Sequence, residues 1–176
     1  MKCIKVLTDA DFGLKSKELV NPRIRYGARG IVFNQDNKIA ILNKQFKNEF
    51  KLVGGGIEEN EDSKIAFKRE VLEEAGCNIE IINELGTIEE IKSQDNFKQV
   101  SYLFIAKVVG DLIEPEYTKK EIDEGSKILW LELDDAMARI NESENKLISS
   151  QYESIYHTKF IVRRDYEILK YYRENY

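Results

Sequence analysis

A single segment with helical periodicity, residues 63–75, interrupts a chain whose central segments otherwise carry β-strand patterns. Alternating or continuous apolar residues predict strands at 24–33, 38–42, 50–53, 79–81, 85–91, 100–108 and 128–131, with a further short strand near the N-terminus at 4–7. Helical spacing predicts more helices at 133–140, capped by Asp134, and at 148–172. These patterns are typical of an α/β or α+β protein with a mixed β-sheet between helices.

Composition restricts the class of protein further. A length of 176 residues suits one domain, or one domain with an appended helix, and the 42% hydrophobic share supports a folded core. No apolar run approaches the roughly 20 residues of a membrane helix, and no secretory signal precedes the acidic residues Asp9 and Asp11. Two cysteines give no disulfide framework and suit the cytoplasm. The modest acidic excess, a net charge of −5, disfavours a general binder of duplex DNA.

The acidic excess is concentrated in residues 55–77, which hold seven acidic and three basic residues. Glu70, Glu73 and Glu74 stand at positions i, i+3 and i+4 of the predicted helix, so their carboxylates share one face. Like charges this close repel each other, and a hard divalent cation such as Mg²⁺, which prefers oxygen ligands, would relieve the repulsion. Asp62 is suited to cap the start of this helix, and Gly76 to end it.

Two further features of this segment suggest how the carboxylates are positioned. Arg69 adjoins the cluster and Glu61 lies near the start of the helix, so an arginine–carboxylate contact would tie the preceding loop to the helix. The run Gly54-Gly55-Gly56 permits tight backbone geometry and lets a carbonyl group approach a metal ion. An exposed acidic helix face without further function would explain neither the arginine nor the glycines.

The spacing of these residues resembles the Nudix box, G-x5-E-x7-R-E-U-x-E-E-x-G-U, in which U is a bulky apolar residue. The matching residues are Gly55, Glu61, Arg69, Glu70, Val71, Glu73, Glu74 and Gly76. Cys77, a small residue at the last apolar position, is the one departure. The resemblance implies the Nudix fold, a mixed sheet between helices, over residues 23–140. Residues 1–22 are then a lead-in, and residues 141–176 form a helical extension packed on the same domain.

The resemblance also implies a reaction, which is the metal-dependent hydrolysis of a nucleoside diphosphate linked to another moiety by water attack on phosphorus. Mg²⁺ or Mn²⁺ would be held by Glu70, Glu73, Glu74 and the carbonyl of Gly54, and one glutamate would also serve as the base. Glu61 and Arg69 would orient these groups. Many family members add a carboxylate from a later loop as ligand or base, for which Glu124 is the first candidate here and Glu121 the second.

Residues outside the box are candidates for substrate binding. Arg25 and Arg29 share one face of the first long predicted strand, and Lys44 ends the second. The resemblance implies that these three residues reach substrate phosphates, because such strand positions often do so in the family. Phe50 is a candidate for stacking on a base. For the basic residues the alternative is ordinary surface charge, and for Phe50 it is core packing.

The box does not identify the substrate. The downstream signatures of ADP-ribose pyrophosphatases, dinucleoside polyphosphate hydrolases and NADH diphosphatases are absent. The asparagine that some 8-oxo-dGTP enzymes carry near the strand before the box is absent too, since Lys51, Leu52 and Val53 occupy that place. We expect a small nucleotide substrate, a nucleoside di- or triphosphate that includes oxidised forms such as 8-oxo-dGTP. The alternatives are a nucleotide-sugar or dinucleotide pyrophosphatase, or a non-catalytic Nudix-fold regulator that binds nucleotides. Family members commonly form homodimers, and the aromatic-rich C-terminal run would supply a dimer face or cover the substrate cleft.

Overall fold

The computed structural model describes residues 1–147 and 154–176 of the chain, in which it shows eight strands and four α-helices. The first part of the predicted C-terminal helix, residues 148–153, lies outside the described residues. The strands are β1 (Cys3–Thr8), β2 (Arg23–Phe33), β3 (Ile39–Lys44), β4 (Glu49–Leu52), β5 (Gly54–Gly56), β6 (Asn78–Lys92), β7 (Phe97–Val109) and β8 (Ser126–Leu131). The helices are α1 (Ser63–Ala75), α2 (Lys119–Asp123), α3 (Leu133–Asn145) and α4 (Ile155–Asn175).

All eight strands join one mixed sheet, with the order β1-β6-β7-β2-β3-β4. β5 pairs with β2 and β8 pairs with β3 beside this path. The pairs β1–β6 and β2–β7 are parallel, whereas β6–β7, β2–β3, β2–β5, β3–β4 and β3–β8 are antiparallel. Helices pack on both faces of the sheet, which confirms the predicted α+β class.

The two faces of the sheet carry separate cores. α1 covers one face and buries Ala66, Phe67, Val71 and Ala75. α3 and α4 cover the other face, where the buried residues of α4 include Phe160, Val162, Ile168 and Leu169. Burial of this apolar surface is what holds the helices to the sheet. Chain segments at both ends therefore belong to the packed body, while the domain boundaries at 23 and 140 stay predictions.

The sequence predicts an apolar side of α1 that consists of Ile65, Ala66, Leu72 and Ala75, with Phe67 and Val71 flanking it, and this prediction is partly wrong. Ile65 and Leu72 are 56% and 36% exposed. The positions that face the sheet are Phe67, Val71 and Ala75, at spacings of four, and Ile65 and Leu72 lie off this stripe. The sequence pattern contained more apolar residues than the helix can bury on one side.

Three boundaries also differ from the predicted ones. Gly54–Gly56, which the sequence predicts only as the stop after the strand at 50–53, forms β5 itself, since its backbone pairs with Gly27, Ala28 and Arg29. The two strands predicted at 79–91 are one strand, β6, interrupted by irregularities between Ile81 and Asn83 and between Glu84 and Gly86. α3 extends to Asn145, and its N-cap is Glu132, so Asp134 lies in the first turn instead. In the described residues, no helix is long and apolar enough to span a membrane.

Candidate active site

The candidate site lies where α1 faces the short glycine strand β5, and the ends of α1 are those predicted. The Asp62 carboxylate accepts hydrogen bonds from the backbone amides of Lys64 and Ile65, at 2.8 and 2.9 Å. Gly76 ends the helix with a φ of 60°, in the left-handed region that favours glycine. Phe67 stacks on Phe104 of β7, with ring centroids 5.4 Å apart. These local features fix the position of α1 along its axis and its rotation about that axis. They therefore also fix the positions of its glutamates.

Arg69 is the centre of the hydrogen-bond network in the site. Its guanidinium donates to both carboxylate oxygens of Glu61, at 2.9 and 3.0 Å, and to the carbonyl of Gly56, at 3.0 Å. It also donates to Glu70 at 3.0 Å and to Glu73 at 3.1 Å. The bidentate bond from Arg69 lowers the pKa of Glu61. The arginine contact expected from the sequence therefore joins the loop, the strand and the helix at one point.

Glu70 is packed directly against β5. A Cβ atom added at Gly55 would lie 2.3 Å from the carboxyl carbon and both carboxylate oxygens of Glu70, so only glycine leaves room for this side chain. Burial, and next the charge of Glu74, raise the pKa of Glu70, and the bond from Arg69 only partly offsets them. The site therefore holds negative charge in a confined volume, which a cation would stabilise.

Glu74 is only 5% exposed and is held by two donors. The backbone amide of Gly54 donates to one carboxylate oxygen at 2.8 Å, and Lys51 Nζ donates to the other at 3.2 Å. Burial opposes the charge on Lys51, but the nearby carboxylates of Glu74 and Glu49 outweigh burial and raise the pKa of Lys51. Lys51 was missed as a site residue. The signal that could have revealed it is its position two residues before Val53, which faces α1.

The donor set in this site fits a hard divalent cation by its chemistry. The candidate ligand atoms are the carboxylate oxygens of three α1 glutamates and a carbonyl oxygen of the glycine strand β5. Mg²⁺ and Mn²⁺ prefer oxygen ligands of this kind. In the part of the chain that the structure describes, no three acidic, cysteine or histidine side chains converge tightly enough to hold a metal as they stand. The reason is visible in the contacts, because Arg69 engages Glu70 and Glu73 while Lys51 engages Glu74.

The two loop carboxylates have other partners. Glu124 forms ion pairs with Lys44 at 2.8 Å and Lys47 at 2.6 Å. Burial would raise the pKa of Glu124, but these two lysines outweigh burial and lower it. Glu121 lies in the first turn of α2 and accepts bonds from the backbone amide and hydroxyl of Thr118, each at 2.8 Å. Both carboxylates are therefore engaged by partners outside the α1 cluster.

The four predicted substrate-binding residues are dispersed. Arg29 is 5% exposed, and its guanidinium lies 4.0 Å from the Asp165 carboxylate of α4. Phe50 is 8% exposed within the core on the α3 and α4 side, so its ring is not available for stacking on a base. Lys44 is engaged by Glu124. Only Arg25 is exposed beside the site, where its guanidinium would lie 2.8 Å from a Cβ added at Gly56.

One arginine holds the acidic helix α1 against the glycine strand β5, on a mixed sheet between helices. This arrangement defines a class of protein. The NUDIX domain family matches residues 23–151, and the chain belongs to that family. Among curated proteins, it is 30% identical over 84 residues to the "Putative 8-oxo-dGTP diphosphatase" of Bacillus subtilis (strain 168). That match covers 48% of this chain and 54% of the relative, so the chain spans about half the length of the curated relative.

Solved structures agree with the fold. A NUDIX hydrolase from Nitrosomonas europaea aligns with a TM-score of 0.61 at 15% identity, over 86% of this chain and 90% of that one. An ADP-ribose pyrophosphatase from Streptococcus suis 89-1591 aligns with a TM-score of 0.51 at 14% identity, over 86% of this chain and 92% of that one. At such identities the likeness shows the fold alone.

Proposed function

We propose that this protein is a Nudix-type pyrophosphohydrolase, which uses Mg²⁺ or Mn²⁺ to hydrolyse a nucleoside di- or triphosphate, including oxidised forms such as 8-oxo-dGTP. The observation that carries the proposal is the set of Glu70, Glu73 and Glu74 on one face of α1, held against β5 by Arg69. The name of the Bacillus subtilis relative supports the choice of substrate. A nucleotide-sugar or dinucleotide pyrophosphatase remains the second candidate, because the ADP-ribose pyrophosphatase shares the fold.

In this proposal the residues of the chain have separate tasks. Glu70, Glu73 and Glu74, with the carbonyl of Gly54, would hold the metal. When bound, a divalent cation neutralises diphosphate oxygens and acidifies the attacking water. Arg69 and Glu61 fix the position of α1 relative to β5. The carboxylates therefore need little rearrangement to hold the metal and the substrate.

The base that accepts a proton from water belongs in the α1 cluster. Glu124, the first loop candidate, already accepts from two lysines, and these contacts favour its role as a structural anion. Glu121 caps α2, which is likewise a structural task. Glu70 and Glu73 share one donor, Arg69, and are themselves proposed metal ligands, so either of them is better placed than the loop carboxylates to accept the proton.

The direct test compares the wild type with Glu73→Gln across nucleotides, dinucleotides and nucleotide sugars, with Mg²⁺ and with Mn²⁺. We expect metal-dependent hydrolysis that falls at least about 10²-fold in the variant, the cost of losing one charge contact to the transition state. Glu59→Gln is the matched control, since it removes the same charge from an exposed position of the preceding loop and should retain activity. Mn²⁺ affinity, measured by calorimetry, should weaken in Glu73→Gln alone.

Equal activity in Glu73→Gln and the wild type would contradict the metal assignment. A wild type that binds nucleotides but hydrolyses none of them would favour the non-catalytic regulator. Small nucleotide partners and a cytoplasmic location are part of the same proposal. The proposed homodimer is tested by sedimentation of the full chain.

A further inference from the structure

A second cleft lies on the sheet face opposite α1, under the N-terminal half of α4. It has a volume of about 440 Å³, within the range of small-molecule sites. Its polar lining includes Arg23, Arg25, Lys92, Gln99 and His157, and within residues 1–147 and 154–176 no carboxylate lines it. The polar lining side chains are therefore cations and neutral polar groups, and the Asp95 carboxylate at the rim pairs with His157.

Buried ion pairs lie beside this cleft. Arg29, Lys92 and Arg164 interact there with Glu90 and Asp165, and Glu74 also acts on Arg29, so three buried cations meet three buried carboxylates. Arg164 lies 3.0 Å from Glu90 and 2.8 Å from Asp165, and Lys92 lies 2.9 Å from Glu90. Because this network is balanced within itself, an anion in the cleft would be held by the cations of the cleft walls.

The walls of the cleft add cations suited to phosphate. The guanidinium of Arg23 lies 4.7 Å from the centre of the Phe97 ring, and that ring is 5.6 Å from the ring of His157. Arg25 has no ion pair among the described residues. His157 Nε2 contacts the carboxylate of Asp95 at 2.6 Å, a pair that holds the imidazole in place at the rim. Planar guanidinium groups match phosphate oxygens well.

This cleft is distinct from the α1 carboxylate site, although the two are adjacent. Consecutive residues of a strand point to opposite faces of the sheet. A Cβ added at Gly55 would meet Glu70, whereas one added at Gly56 would meet Arg25. Glu70 and Arg25 therefore lie on opposite sides of β5, although Arg25 also borders the cleft beside Glu61 at the start of α1. An anion under α4 is thus a different one from an anion at Glu70. Because Gly55 and Gly56 are neighbours, one elongated ligand can reach both sites.

We propose that the cleft binds a phosphate monoester that the substrate carries in addition to its scissile diphosphate. This inference rests on the proposed function, which places the diphosphate at the α1 carboxylates. It extends the proposed substrate class to nucleoside diphosphate derivatives that carry a further phosphate monoester, and assigns the recognition of that phosphate to Arg23, Arg25 and Lys92.

The first experiment measures binding without metal or turnover. Inorganic phosphate is titrated into the full chain at fixed pH, and the imidazole proton signals of His157, the only histidine in the sequence, are followed by NMR. We expect saturable shifts with phosphate but not with chloride at equal ionic strength. The double variant Arg23→Gln/Arg25→Gln should weaken this binding at least tenfold. Arg173→Gln removes one cation about 24 Å along α4 from His157, so it is the control for charge far from the cleft and should bind like the wild type.

The second experiment uses substrate pairs that differ by one phosphate, NADPH with NADH and coenzyme A with dephospho-coenzyme A. The wild type should prefer at least one phosphorylated member tenfold or more in kcat/KM, and the double variant should reduce that preference below threefold. Equal shifts in phosphate and chloride, or hydrolysis with no preference within either pair, would overturn the inference and leave the proposed function intact. Phosphate binding without hydrolysis of any diphosphate would overturn the proposed function, while the cleft would remain a phosphate site.

Discussion

Replacement of Glu90 by glutamine should destabilise the protein by an amount that depends on pH. Glu90 is fully buried between Arg164 and Lys92. Burial alone would raise the pKa of Glu90, but these two cations outweigh burial and hold it at about 2, below the usual 4.5. The difference between these two pKa values corresponds to about 3 kcal/mol of folding free energy at pH 7. An estimate from the loss of one partner in a buried ion pair, about 3 to 5 kcal/mol, agrees.

The direction of the pH dependence follows from the depressed pKa. A carboxylate that is more acidic in the folded state stabilises the protein above pH 4.5, and this stabilisation is lost as the pH falls towards 2. Glutamine resembles the protonated acid. The difference in free energy of unfolding between the wild type and Glu90→Gln should therefore shrink as the pH falls from 4.5 towards 2. We expect about 3 kcal/mol at pH 7 and about 2 kcal/mol at pH 3.5.

Urea denaturation of both proteins, followed by far-ultraviolet circular dichroism at a series of pH values, measures this difference. Glu89→Gln is the matched control, because Glu89 is the neighbouring residue on β6 and pairs with Lys98 at 2.8 Å near the surface. It should change the free energy of unfolding by no more than about 0.5 kcal/mol. A difference below about 1 kcal/mol for Glu90→Gln at pH 7, or one that stays constant down to pH 3.5, would refute the reasoning.

Two further predictions concern α1 and its surroundings. Gly55→Ala places a methyl group where the Glu70 carboxylate lies, so hydrolysis should fall about 10²-fold, and a kcat within threefold of wild type would contradict the packing. Cys77 is buried, which raises the pKa of its thiol to about 11, whereas Cys3 is exposed. A thiol reagent at pH 8 should therefore modify one cysteine in the native chain and two in denaturant, and rapid modification of both native thiols would refute the burial of Cys77.

The elements predicted most accurately are those specified by local signals. The helix at 63–75 was located to the residue because its cap, its apolar period and its terminal glycine are all close in sequence. The pairing of Arg69 with Glu61 was also accessible, since a short loop and two helical turns separate them. By contrast, β5 could not be recognised from an apolar pattern, because its three glycines have no side chains to alternate.

The environment of the predicted substrate residues depended on contacts that no local pattern contains. Arg29 was correctly placed on β2, but its partner Asp165 lies on α4 at the other end of the chain. Lys44 was likewise placed on its strand, but not beside Glu124, with which it pairs. A strand pattern defines which face a side chain occupies, but only the tertiary fold determines whether that face is open to a ligand.

The distribution of charge around β5 connects the two proposed binding sites. On the α1 side the carboxylates of Glu70, Glu73 and Glu74 share Arg69 and Lys51, so negative charge is in excess there. On the α4 side the buried cations Arg29, Lys92 and Arg164 are balanced by Asp165, Glu90 and Glu74, and the cations that face the cleft are Arg23 and Arg25. A ligand with complementary charges must bring cations to the first side and an anion to the second. A metal-bound diphosphate with a further phosphate meets both requirements, whereas a diphosphate without that phosphate brings no anion to Arg23 and Arg25.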